Sequence, residues 1–202
     1  MAEHQTTTLA LFYRGPFSQW HPSPFAAPTG FPAGTPFSYL SLEEEVKSLP
    51  SLEVVRTTPL QDKVAMGWLV YANAEQYMMA EKARFFRDAD TEAEIMKTTS
   101  PKRVKEMGRQ VKGFDEGMWH RVREGVVLRA SWFKFGSNPD LARLLVETGD
   151  RELVEASPVD RVWGIGLAVS DPRSRNKRMW PEGALNLLGQ SLTRVRDLLR
   201  SA

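Results

Sequence analysis

The sequence predicts an α+β fold that is predominantly helical, a single compact domain with a few short strands. Three observations predict it. Apolar residues recur at helical spacing through the middle and the end of the 202-residue chain. Strand-like apolar runs are few and short. The central helices follow one another without strands between them, which argues against a doubly wound parallel sheet. No internal repeat is present, and the length suits one domain with a sizeable core. The domain is expected over residues 9–202, preceded by a flexible N-terminus at 1–8.

Each element has its own signal. Leu9–Arg14 is a short apolar run that reads as a strand. Residues 15–25 combine three prolines with the rings of Phe17, Trp20, His21 and Phe25, a poor helix and a poor central strand, so an ordered loop is expected there. Residues 26–37 hold Pro28, Gly30, Pro32, Gly34 and Pro36 and read as irregular. Ser41 followed by Glu43, Glu44 and Glu45 is an N-cap with an acidic first turn, and predicts a short helix to Pro50. Lys63–Tyr71 reads as a strand. Asn73–Arg87 is the clearest helix, with Asn73 as cap and Gln76 three positions on, as in a capping box. Thr91–Lys97 and Pro101–Gly108 follow as short helices, the second opened by proline. Asp115–Phe135 is a long helix in which Trp119, Val122, Val126, Ala130 and Phe133 recur at steps of three and four. Pro139–Thr148 is a helix ended by Gly149. Glu152–Ala156 and Val162–Val169 read as strands around a turn at Ser157–Arg161. A polar loop at 170–182 carries Arg173, Arg175, Lys177 and Arg178, and Ala184–Arg200 is a terminal amphipathic helix.

Composition narrows the chemistry. The chain has no cysteine, which removes disulfides, thiolate metal sites and a cysteine nucleophile. His4, His21 and His120 are far apart in sequence, which argues against a histidine zinc site, so no metal is expected. The expected cofactor is none: GxGxxG, P-loop and GxSxG motifs are all missing. The net charge of +2 does not announce a nucleic-acid binder, and such an activity would need a local patch. No apolar run approaches the ~20 residues of a membrane span, and the first residues lack a signal-peptide pattern. The expectation is a soluble, cytoplasmic protein with no membrane partner.

Acid–base chemistry on carboxylates and lysine remains open. Glu75 and Lys82 are seven residues apart on one helix face, about 10 Å at ~1.5 Å per residue. Trp119 heads the long helix, and Asp160 and Arg161 precede Trp163-Gly164-Ile165-Gly166. Each has an ordinary explanation. Glu75 complements a helix dipole, Lys82 extends its ammonium to solvent, Trp119 fills a core and Asp160 forms a turn. The basic residues at 173–178 make a solvated loop.

Whole strings then become informative. These are Phe12-Tyr13-Arg14-Gly15, the run 17–25 (FSQWHPSPF), the run 74–83 (AEQYMMAEKA), Lys134-Phe135 with Asn138-Pro139, the run 153–166 (LVEASPVDRVWGIG), and Asn186-Leu187-Leu188-Gly189. In this order they resemble the NADAR superfamily, the YbiA-like N-glycosidases, over roughly residues 11–200. The chain differs by extra material at about 26–62 and by wider spacing around Trp180–Leu185.

The resemblance implies a compact, mostly helical domain and a hydrolase of N-glycosidic bonds. Some members act on phosphoribosylamino-pyrimidine intermediates of riboflavin biosynthesis, others remove ADP-ribose from modified guanine. The leading expectation is an N-glycosidase for an ADP-ribosylated guanine base or nucleotide, free or carried in nucleic acid. The alternatives are the pyrimidine riboside, as metabolite damage control, and a catalytically silent ADP-ribose or nucleotide binder. Glu75, Asp160 and Trp119 match the family's functional carboxylates and tryptophan. Lys82 matches a lysine proposed to engage the sugar carbon. Catalysis is thus expected of Glu75, Lys82 and Asp160. Substrate contacts are expected of Trp119, Trp20, Gln19, Trp163, Arg161, Arg14 and Lys134, the last three as phosphate partners.

Overall fold

A computed structural model describes residues 8–30 and 41–202. Most of the N-terminus at 1–8 and most of the Pro/Gly-rich stretch lie outside these. In chain order the elements are β1 (Leu9–Phe12), β2 (Phe25–Ala27), α1 (Leu42–Ser48), α2 (Leu52–Thr57), α3 (Leu60–Ala65), β3 (Leu69–Tyr71), α4 (Ala74–Phe85), α5 (Ala89–Met96), α6 (Pro101–Gly108), α7 (Glu116–Ser137), α8 (Pro139–Val146), β4 (Glu152–Glu155) and α9 (Leu187–Ser201). Two short 3₁₀ turns, Pro172–Arg175 and Lys177–Met179, precede α9. The fold is α+β and predominantly helical. No helix among the described residues is long and apolar enough to cross a membrane. The chain divides into two compact units, one of residues up to Ser18 with Asp140–Ser201, the other Gln19–Pro139.

The larger unit is organised around α4. Asn73 caps it by accepting the Gln76 N–H at 2.9 Å. The expected reciprocal arm of a capping box is redirected: the Gln76 side chain accepts from the Ala72 N–H and donates to the carbonyls of Ile95 and Thr98. It therefore ties α4 to α5. Every residue of α4 except Arg84 is buried. A helix enclosed on all sides needs no polar face, which explains its weak amphipathicity. Phe25 and Tyr71 stack on each other and pack against Tyr77 of the helix, the Tyr71 and Tyr77 rings edge to face with centres 4.9 Å apart. Strands β2 and β3 pair antiparallel, Phe25 opposite Tyr71.

Three expectations change. Lys63–Tyr71 is not one strand. Residues 60–65 form α3, Gly67 turns the chain at φ +85°, and only Leu69–Tyr71 is extended. The apolar run concealed a helix whose Lys63 bends inward to donate to the Val55 carbonyl at 2.6 Å. Residues 26–37 are not irregular throughout, since β2 reaches Ala27. The extra segment also holds α2, capped by Ser51, in addition to the expected helix α1 with its Ser41–Glu44 capping box.

In the smaller unit β1 and β4 run parallel, with Leu9 opposite Glu152 and Phe12 opposite Glu155. The third correction falls here: Val162–Val169 is not a strand. Ile165 makes one ladder-like bond, N–H to the Glu155 carbonyl at 3.0 Å, and Gly166 then turns at φ +70°. A Cβ on Gly164 would lie 2.6 Å from the Glu155 oxygen, so only glycine lets the segment approach β4 this closely. Residues 161–164 accept instead from the N–H groups of residues 185–188. Asn186 joins the parts. At φ +51° it donates to Leu153 and accepts from Glu155, bridging α9 to β4.

Candidate active site

In the larger unit the helix start fixes Glu75. Its side chain is buried in the first turn of α4, and its N–H donates to the Gln19 carbonyl at 3.1 Å. That bond joins the aromatic loop to the helix. Gln19 is buried, whereas the next residue, Trp20, keeps 43% of its surface exposed. Lys105 of α6 holds its ammonium 5.9 Å from the Trp20 ring centre. Ser23 N–H donates to Ala72 and anchors the far end of the loop.

Two turns along α4, Lys82 is buried among aromatic rings. Its Nζ donates to the Gly108 carbonyl at 2.7 Å and lies 3.9 Å from the Phe114 ring centre and 5.9 Å from that of Trp119. Removal from water pushes the ammonium below its usual range. Trp119 is also buried, 6.4 Å from Phe85. Thus Lys82 and Trp119 come together, as do Glu75 and Gln19. Lys134 is only 1% exposed on α7, and burial pushes it down to about 7. Burial of His21, and after it the charge of Lys134, lower the His21 imidazole.

The smaller unit positions Asp160, Arg161 and Trp163 in one turn. Asp160 Oδ1 accepts from the Val162 and Trp163 N–H groups, both at 2.9 Å, as a turn-forming aspartate does. Its carboxylate is thus held in one orientation. The exposed Arg161 side chain lies over Gly166. Arg14 follows β1 in the left-handed region at φ +62°, its guanidinium 5.4 Å from the Tyr13 ring centre. In the basic loop Arg173 pairs with Asp171 and Lys177 with Glu152.

α4 also holds a buried charge cluster that no sequence motif marks. Glu81 is fully enclosed and pairs with Arg84. It also accepts the Gly30 N–H at 2.8 Å. Arg84 reaches Tyr71 and Glu92, and Arg129 pairs with Glu45. Burial pushes Glu81 up to about 6, opposed by the arginines. The available signal was the Glu81–Arg84 pair at helical spacing. Among the described residues no three His, Asp or Glu side chains group as metal ligands.

The comparisons with known proteins agree on one family. The family model described as the NADAR domain matches residues 11–200. N-glycosidase R617 of Acanthamoeba polyphaga mimivirus is 39% identical over 127 residues, 63% of this chain and 74% of the relative. Protein irg-1 of Caenorhabditis elegans is 32% identical over 203 residues, 98% of this chain and 83% of the relative. The NMR structure of the Escherichia coli protein YbiA superposes with a TM-score of 0.60 at 23% identity, covering 96% of this chain and 86% of that one, and shows the fold.

Proposed function

The chain belongs to the NADAR family and is a hydrolase acting on N-glycosyl compounds; we propose that the bond it breaks joins ADP-ribose to a guanine base or nucleotide. The observation that carries this reading is the Glu75–Gln19 backbone bond. It ties the residue before Trp20, whose exposed indole is suited to stacking on a purine, to the residue of a buried carboxylate.

Cleavage builds positive charge on the anomeric carbon and negative charge on the departing base. Glu75 supplies a proton to the base. The Lys82 amine, neutral more readily than a solvated lysine, attacks the anomeric carbon as the carbon–nitrogen bond breaks. Opening of the sugar ring gives an imine at that carbon. Water then hydrolyses the imine to free ADP-ribose and regenerates the amine. Asp160 enters through the family resemblance, as a carboxylate that contacts the sugar or orients water. Arg161, Arg14 and Lys134 are the proposed phosphate partners, and Trp119 and Trp163 the further aromatic contacts.

The test is direct. ADP-ribosylated guanosine and a ribosylamino-pyrimidine phosphate are incubated separately with the protein, and free base is followed. Release from the first alone supports the proposal. Release from the second alone transfers the activity to the pyrimidine riboside. Binding without release, unchanged in Glu75→Gln, makes the protein a silent binder.

A further inference from the structure

Two consecutive peptide planes hold Asp160. Its Oδ1 accepts from the Val162 and Trp163 N–H groups, both at 2.9 Å, which leaves Oδ2 for substrate. A trans peptide is a rigid plane whose C=O and N–H point opposite ways. The plane that ends in the Val162 N–H begins with the Arg161 C=O, which accepts from the Leu185 N–H at 2.7 Å. The next plane joins the Trp163 N–H to the Val162 C=O, which accepts from the Leu187 N–H at 3.1 Å. Each plane is thus gripped at its hydrogen by Asp160 and at its oxygen by the chain entering α9. Leu187 and Leu188 open α9, and a helix start leaves such N–H groups without intrahelical partners. Here they are used on the turn that carries Asp160, Leu188 donating to the Trp163 carbonyl at 3.1 Å.

Asn186 sets where that chain lies. One edge of β4 faces β1, where the Glu152 and Ala156 N–H groups donate to Thr8 and Phe12. On the other edge the Asn186 amide donates to the Leu153 carbonyl at 2.9 Å and accepts the Glu155 N–H at 3.0 Å, the two bonds a neighbouring strand would make. Its own N–H meets the Gly164 carbonyl at 3.2 Å, and its left-handed φ of +51° turns the chain from this edge into α9. The side chain is buried, so any effect on substrate passes through the turn. We infer that Asn186 is a positioning residue for the reaction: it fixes the start of α9 on β4 and, through the Arg161 and Val162 carbonyls, aims the Asp160 carboxylate at the reacting centre. The inference rests on the reading of Asp160 as the carboxylate that contacts the sugar or orients water. A misplacement of about 1 Å can cost on the order of 100-fold in rate, so a small shift of Asp160 is measurable.

Two variants of the full chain separate aim from stability. Asn186→Gly removes the amide and keeps the left-handed turn without strain, whereas Asn186→Ala removes the amide and strains the turn. Turnover is measured well below both melting temperatures on the riboside that the parent hydrolyses, ADP-ribosylated guanosine or ribosylamino-pyrimidine phosphate. Both variants should lose about tenfold or more in kcat, by a similar factor, with KM within about threefold. The melting temperature should fall further in the alanine variant, so that rate follows the amide and stability follows the backbone. In an Asp160→Asn background, where the charge to be aimed is gone, Asn186→Gly should change kcat by less than about twofold. Amide hydrogen exchange at Val162 and Trp163 should quicken about tenfold or more in Asn186→Gly, with Leu69–Tyr71 as the unchanged control. Parental kcat in Asn186→Gly, an equal loss with and without Asp160, or unaltered exchange at Val162 and Trp163 would each overturn the inference while the proposed function stands. Parental turnover in Asp160→Asn, or no base release by the parent from either riboside, overturns the catalytic reading of Asp160 and the role of Asn186 with it.

Discussion

The Lys82 ammonium donates to the Gly108 carbonyl at 2.7 Å while lying 3.9 Å from the Phe114 ring centre, so one backbone oxygen and one π face stand in for much of its hydration. Both partners favour the charged form, yet burial is the larger influence and lowers the pKa. An amine acting as nucleophile works only when neutral. Base release should therefore rise with pH through a midpoint below the usual lysine value of 10.5. Lys82→Arg keeps the charge and cannot deprotonate, so it should lose at least about 100-fold in rate. Borohydride added during turnover should fix a sugar adduct on the Lys82 peptide, read by mass spectrometry. No adduct would remove the imine step and leave simple hydrolysis.

Glu75 provides a separate test of chemistry against structure. Its carboxylate is enclosed within the first turn of α4, while its backbone carries the link to Gln19. Glu75→Gln preserves the backbone link and the volume and removes the transferable proton. The rate should fall about 10²–10⁴-fold, the usual worth of a general acid. Thermal stability should hold, because the amide fills the same volume and the backbone link to Gln19 is kept. A large fall in melting temperature with proportionate loss of activity would assign Glu75 to the fold.

What was legible in the sequence follows from how local each signal is. The Asn73 cap, the acidic start of α1, Pro101 and the apolar spacing of α7 act within one or two turns, and the corresponding helices form. Val162–Val169 depends on distant partners: Glu155 and residues 185–188 take its backbone bonds, and two glycines divide it, so an apolar run does not become a strand. The same limit hid Glu81. Its partners Gly30 and Arg84 lie 51 and three residues away, and the distant one has no local sequence signal. Lys82 and Trp119 stand out in the sequence by position, and the family resemblance supplies their roles. The meeting of Lys82 with Trp119, and with Phe114 and Gly108, is a property of the fold.

Lys134 links burial to a pH dependence of stability. In the unfolded chain its amine keeps a proton up to about 10.5, whereas in the folded chain burial releases it near 7. Between these values the unfolded chain binds more protons, so raising the pH favours the folded state. The gain is about 1.4 kcal/mol per pH unit within the window. It is complete above the unfolded value and lost as pH falls towards 7. Lys134→Met should flatten the rise in melting temperature between pH 7 and 9.5 and melt higher than the parent at pH 7. An unchanged pH profile would show that Lys134 stays charged.

Two glycines should respond differently to one added methyl group. At Gly108 a Cβ would lie 2.1 Å from the Met79 sulfur, the flexible part of an unbranched side chain. At Gly189 it would lie 2.1 Å from the Leu153 backbone oxygen and 2.5 Å from both polar atoms of the Asn186 amide. Those atoms are fixed: Asn186 donates to that same oxygen and accepts from Glu155. Gly108→Ala should cost about 1 kcal/mol, and Gly189→Ala about 3 kcal/mol or more, the two ends of overpacking in a dense interior. Met79→Ala should rescue the first by making room. No side-chain truncation can rescue the second, because the obstruction is backbone. Denaturant melts of the two single variants and of the Gly108–Met79 pair distinguish these cases. Equal costs at both positions would mean that α9 shifts on β4 as readily as a methionine changes rotamer.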